Sequence, residues 1–312
     1  TARAFDSLGV DYFTEKGYDD FFIGKGAAYG DIQGSVCLLH EQTSSRGLAK
    51  QLKNGYVMTL AETVRNQCIA SAAVALRARS LKDTLLSYSR DFFRKSALAA
   101  ASDRHEGYLF GTRSDKGLAF NFISLLRRHG IEVYAVDGRD DTYAVPFDQK
   151  HYYKIKCLFE DITSFEDNVF YDVSTWTTAR GFNLDFRPVE KLPALGQRID
   201  RPELAGRVIE AEKGDAAYRF TTKDYYTPAM MASLQREGVV FNVDRDGNVY
   251  APVSAAVEDA ARRCGVDLEP VKRIPSGASA VRKASAAIIL DGGPYTFTGL
   301  FYSGICQTYN IK

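Results

Sequence analysis

Glu41 is the residue that its neighbours best equip to move a proton. It follows the apolar run Val36-Cys37-Leu38-Leu39 and His40, and it precedes the polar turn Gln42-Thr43-Ser44-Ser45-Arg46-Gly47. Such a run reads as a short buried strand, so a carboxylate is expected where that strand leaves the core. Glutamate is almost never fully buried unless paired, and two readings stand. In one, Glu41 is a general acid–base group held at a rigid strand end. In the other it marks where the strand meets water, with Arg46 as its ion-pair partner.

Other residue groupings carry less chemistry. His129-Gly130-Ile131-Glu132, with His151 further on, has metal-ligand spacing. Gly130 is expected to end a helix there, which puts His129 in the last helical turn and Glu132 in the next strand. His129 then reads as a cation-friendly C-terminal helix residue, and His105 and His151 as surface histidines. The turn Asp291-Gly292-Gly293 opens an expected helix but lacks the phosphate-cradling glycine signatures, so it reads as an ordinary strand-to-helix turn. Cys306 follows Gly304 inside that helix with no histidine after it, and is expected to be structural.

Composition narrows the function classes. The chain has 312 residues, 45% hydrophobic and 25% charged, enough for two or three domains. Forty basic residues balance thirty-nine acidic ones, a net charge of +1 that gives no electrostatic case for a nucleic-acid or anionic-membrane partner. No apolar run approaches the roughly 18 residues that span a bilayer. The five cysteines are scattered, which argues against a disulfide framework or a thiolate zinc site. The chain begins at Thr1, so a removed signal peptide is compatible with it.

The elements that would position Glu41 can be read outward from it. Residues 1–33, rich in Gly and Tyr, read as a long irregular loop. Thr59 and Glu62 form a capping box ahead of a helix with Val64, Cys68, Ala72, Ala75 and Leu76 at helical spacing. A second helix follows and ends at Asp103, the expected first domain boundary. Residues 107–159 and 217–264 then repeat one pattern: strand, amphipathic helix closed by Gly130 or Gly238, strand, Asp-Gly turn, strand, helix. The tyrosine pairs Tyr152-Tyr153 and Tyr225-Tyr226 begin helices in the two copies and read as packing residues. Between the copies lies an expected helix carrying Trp176, the only tryptophan, and closed by Gly181. Pro188, Pro193 and Pro202 mark an extended connector after it. The copies are expected to pack into one mixed sheet covered by helices. Residues 286–309 read as a terminal βα unit. The fold class is therefore α/β, in regions 1–103, 104–204 and 205–312.

The order "GKGAAYGDIQGSVCLLHEQTSSRG" followed by "NGYVMTLAETVRNQCIASAAVAL" resembles the carboxyl-terminal part of a zinc carboxypeptidase domain of the carboxypeptidase A type. It looks most like the large bacterial members, which continue with a pattern like "VFYDVSTWTTARGFNLDF" and end in a glutamine-amidotransferase-like α/β domain. The resemblance implies that residues 1–103 are the end of a carboxypeptidase-like mixed sheet with its helices. The start of an amidotransferase-like domain would lie within 205–312.

In such enzymes a metal-activated water attacks the peptide, and a carboxylate takes its proton and returns it to the departing amine. The resemblance implies that Glu41 is that general base and acid, zinc the cofactor, and a peptide carboxyl end the substrate. It also implies a secreted or periplasmic hydrolase. A tyrosine on a mobile loop covers the bound peptide end in this family; Tyr29 and Tyr18 both lie in the corresponding stretch. Arg46 is a candidate for steadying Glu41 or touching the substrate carboxylate, against the plain reading of a surface arginine in a turn. The family's His-x-x-Glu pair and later His precede the catalytic strand, and none of the forty residues ahead of Glu41 is a suitable His. The zinc ligands are therefore expected outside this chain, which by itself is expected to be inactive. The rival class is a non-catalytic α/β module that binds peptide or glycan.

Overall fold

The computed structural model describes residues 1–14, 23–24, 26–112, 115–161 and 177–281. The polypeptide divides into two compact units, Thr1–Gly107 with Pro146–Gly181, and Tyr108–Val145 with Phe182–Lys312. The terminal βα unit, the Asp291 turn, Cys306, Trp176 and Tyr18 lie outside the described residues.

The first unit opens with two short helices, α1 (Ala2–Asp6) and α2 (Gly26–Asp31), and a hairpin of β1 (Ala49–Gln51) and β2 (Val57–Thr59). The long helices α3 (Leu60–Ser80) and α4 (Lys82–Ser102) follow. α3 starts where the capping signal predicts: the extended Thr59 accepts the Glu62 N–H on Oγ1 at 3.2 Å, while the Glu62 carboxylate takes the Tyr56 hydroxyl instead of the Thr59 N–H. Leu60 N–H also donates to Leu48 O at 2.9 Å, which fixes the helix to the end of the polar turn. α4 ends at Asp103, whose backbone turns extended.

The strand expected at residues 36–39 does not form. These residues carry no strand pairing among the described residues, and Val36, Leu38 and Leu39 are 54%, 60% and 53% exposed. An apolar run becomes a buried strand only where neighbouring strands satisfy its backbone and cover its faces. The only described sheet of this unit, β1 with β2, pairs elsewhere.

The repeat is present, and larger than its sequence suggests. The first copy runs β3 (Gly107–Gly111), α5 (Lys116–Arg128), β4 (Tyr134–Val136), β5 (Arg139–Pro146) and α6 (Tyr152–Phe159). After α7 (Thr178–Gly181) it gains β6 (Asp185–Val189) and β7 (Leu195–Arg198). The second copy runs β8 (Ala217–Thr221), α8 (Thr227–Arg236), β9 (Asn242–Val243), β10 (Asn248–Ala251), α9 (Ala255–Cys264), β11 (Glu269–Val271) and β12 (Ser279–Ala280). Strand orders correspond one to one: β6-β3-β5-β4-β7 and β11-β8-β10-β9-β12.

The copies do not share one mixed sheet. Each closes its own five-stranded sheet, and every named-strand pairing with a defined register is antiparallel. The connector strands β6 and β7, and β11 and β12, lie at the two edges of their own sheets, and no named strand of one copy pairs with a named strand of the other.

Periodicity explains the cores. α5 buries Ala119, Phe122, Ile123 and Leu126, one helical stripe, with Phe122 edge-on to Phe110 of β3 at 5.3 Å. In the second copy Met230 and Leu234 of α8 and Val257, Ala260 and Ala261 of α9 pack with Tyr218, Phe220 and Val249 of the sheet. Each fully buried large apolar side chain contributes about 1.5–3 kcal/mol. Gly130 and Gly238 follow α5 and α8 with φ of +74° and +88°, the left-handed closure read from the sequence. No described helix is long and apolar enough to cross a membrane.

Candidate functional site

Glu41 lies in an irregular, exposed segment between α2 and β1. Among the described residues no hydrogen bond or ion pair involves its carboxylate, and Arg46 does not pair with it. Its flanks are held more firmly. Upstream, Cys37 N–H donates to Asp31 Oδ1 at 3.0 Å, and a Cβ on Gly30 would collide with Cys37 Sγ, so α2 and the apolar run are in close contact. The His40 carbonyl accepts from Gln67 Nε2 at 3.4 Å, and His40 Nε2 meets Thr1 Oγ1 at 3.4 Å.

Downstream, the turn is built by its own hydroxyls. Ser45 is 4% exposed and donates to Gly47 O at 2.8 Å, while Arg46 N–H donates to Ser44 Oγ at 3.0 Å. Arg46 itself takes a left-handed φ of +46°. Short polar side chains that bond their own backbone are what lets a chain turn this tightly.

A cleft of about 650 Å³ opens directly after Glu41, with residues 42–45 on one wall and Leu60, Val64, Gln67 and Cys68 of α3 on the other. Its lining carries hydroxyls, amides, the Cys68 thiol and aliphatic carbons but no charged side chain. Glu41 is therefore the carboxylate next in sequence to a neutral cleft that the capped start of α3 helps to shape.

Tyr29 is placed in α2 rather than in a loop, and no hydrogen bond joins it to Glu41. The ammonium of Lys154, from α6, stands 6.0 Å from its ring centroid. Lys154 is 2% exposed, and burial, with Lys150 nearby, lowers its pKa to about 8.

Among the described residues no group of three or more His, Cys, Asp or Glu side chains is placed to hold a metal ion. His129 follows α5 as its C-cap, and Glu132 instead accepts from Tyr134 and pairs with Arg198. His105 is not a surface histidine: its side chain is 15% exposed and its Nδ1 lies 3.2 Å from Asp103 Oδ1.

Two carboxylate clusters went unread in the sequence. Asp103 accepts the His105 N–H at 2.9 Å, the Tyr152 hydroxyl at 2.7 Å and Lys156 Nζ at 3.3 Å. Burial pushes its pKa up, but these donors outweigh burial and hold it at about 2. Asp115 and Asp224 form the second cluster, in the other unit. Asp115, directly before an amphipathic stretch, carried a cap signal; nothing local marked Asp103 or Asp224.

No family model, curated protein or solved structure matches the chain.

Proposed function

We propose that the chain carries the general base and acid of a zinc metallocarboxypeptidase-like peptide hydrolase, and that Glu41 is that group. One observation carries the reading: the residue order across 34–47, in which a carboxylate without a polar partner among the described residues precedes a neutral cleft. Glu41 removes a proton from the water whose oxygen bonds to the scissile carbonyl carbon. The same proton then passes to the amine nitrogen as the carbon–nitrogen bond breaks. Arg46, one turn on, is the cation available for the carboxylate of the peptide end, and Tyr29 the aromatic residue upstream. The described residues do not form a zinc site, and no step is assigned to the metal. In this reading the metal ligands lie outside the chain and the hydrolase is secreted or periplasmic.

The test is Glu41→Gln in a polypeptide that also carries a His-x-x-Glu pair and a later His ahead of Thr1. Release of carboxyl-terminal residues should slow by about 10²–10⁴-fold in kcat, the usual contribution of a general base, with zinc content and melting temperature unchanged. Full turnover in the Gln variant would overturn the assignment and leave a peptide- or glycan-binding module as the reading.

A further inference from the structure

Asp224 lies in the loop between β8 and α8, and its surroundings are those of a neutral group rather than a carboxylate. Its Oδ1 is covered and, among the described residues, meets no hydrogen-bond donor. Three residues on, the hydroxyl of Thr227 is equally covered and equally unpartnered, in a residue with no exposure at all. Buried polar atoms without partners are uncommon and costly, and here two stand at the start of one helix.

The neighbouring carboxylate has already taken the local N–H donors. Asp115 Oδ1 accepts from Gly117 N at 2.9 Å and Leu118 N at 3.2 Å, which caps α5. Its Oδ2 accepts from Tyr225 N at 2.7 Å, so one side chain grips the helix start in both copies of the repeat. A second tie runs beside it. Lys116 Nζ reaches both oxygens of Asp267 at 3.0 and 3.1 Å, and Asp267 Oδ1 also takes the Arg207 N–H at 2.7 Å. Tyr226 completes the joint by donating to Asn121 at 2.8 Å and lying against Gly117, where a Cβ would press on its ring.

Among the described residues, the charged groups that face Asp224 are Asp115 and Lys116 at the start of α5 and Asp267 ahead of β11. Lys116 is already engaged by Asp267. An ionised Asp224 therefore meets two like charges, one engaged cation and no donor for its covered oxygen. A protonated Asp224 removes the repulsion and supplies an O–H donor where an unpartnered hydroxyl oxygen lies three residues away.

We propose that Asp224 is a proton-operated release for the joint between the two copies. With the carboxyl protonated, the Asp115–Tyr225 and Lys116–Asp267 ties stay closed; with it ionised, Asp224 pushes against Asp115 and Asp267 and loosens them. Burial first, then Asp115 and Asp267, raise the Asp224 pKa from its ordinary 3.8 to about 6, against a smaller opposing pull from Lys116. The sign follows. A carboxyl whose pKa is raised in the folded state gives stability that is full below about 3.8 and is lost as pH rises from there through about 6.

The experiment uses the full chain. Exchange of the Tyr225 amide, corrected for its intrinsic rate, is followed by NMR from about pH 5 to about pH 8, with Val249 in β10 as reference. The displacement of about two pKa units sets the ceiling at roughly a hundredfold. Tyr225 protection should fall by up to about tenfold across this range, the share of that ceiling that lies above about pH 5, while Val249 changes little. In Asp224→Asn, neutral at every pH, it should stay high and flat. The carboxyl carbon shift of Asp224 in the unmodified chain should titrate near pH 6. Protection independent of pH, a drop retained in the Asn variant, or a titration midpoint near 4 would each overturn the proposal.

Discussion

Asp103 and Glu41 show how differently one functional group can be used in this chain. The Asp103 side chain is 10% exposed and accepts from a backbone amide, a phenol and an ammonium. Its pKa of about 2 lies below the ordinary 3.8, so its contribution to stability is present above about pH 4 and lost as pH falls through about 2. Asp103→Asn should lower unfolding stability by about 1–3 kcal/mol near neutrality, the cost of disturbing a buried charge-assisted network. That deficit should shrink towards zero near pH 2. Denaturant melts of both proteins at the two pH values measure it, and equal stability at neutral pH would show the network to be idle. Glu41, by contrast, has no polar partner among the described residues and stands in the exposed stretch before the turn. Glu41 drew attention in the sequence through its immediate neighbours, yet the strand that Val36–Leu39 predicts does not form, since no strand pairs with that run among the described residues. Asp103 drew none, because Tyr152 and Lys156 arrive some fifty residues later and only folding brings them to it.

The elements were legible where a local signal fixes them and obscure where a distant strand does. Thr59 with Glu62, and the glycines after α5 and α8, set helix ends by bonds within a few residues. The edge strands β6 and β11 gave no such signal. Each contains a proline, Pro188 and Pro270, which weakens a strand pattern but is tolerated at a sheet edge. Their pairing partners β3 and β8 lie some fifty to eighty residues earlier. Gly206 shows the same dependence on distant chain. Its N–H donates to Arg262 O at 3.2 Å, and a Cβ there would run into the carbonyl oxygens of Ala261 and Val266. Backbone on both sides cannot step aside as a side chain would, so Gly206→Ala should cost about 1–3 kcal/mol. Gly277→Ala, with open space around the added carbon, should stay within about 0.5 kcal/mol. Melting curves of the two variants decide it, and equal behaviour would mean that the loop before β8 yields freely.

Across the whole molecule, apolar burial is uneven in a way that composition hides. Among the described residues, sixteen of the twenty large apolar side chains left exposed lie before residue 100, including Val36, Leu38, Leu39, Leu60, Val64 and Leu76. α3 buries only Asn66 and Ala70 along its length, and α4 only Ser96. α5, much shorter, buries five residues, and α9 buries three against its own five-stranded sheet. Helices of the first kind rest on their own hydrogen bonds and their alanines, with a side-chain cap in α3 alone, which gives marginal stability. Helices of the second kind gain theirs from packed apolar surface. Local opening follows this division, since segments with few buried contacts open without the rest. Backbone amides in the middle of α3 should therefore exchange with solvent at least about tenfold faster than those of β8 and β10, after correction for sequence. Hydrogen exchange read by mass spectrometry on peptides from residues 60–80 and 217–251 measures both in one sample. Equal protection would mean that α3 is held by more than its own backbone and two buried side chains. Faster exchange confined to α3 and α4 would place the region around Glu41 on the less stable of the two units, and the paired sheets on the more stable one.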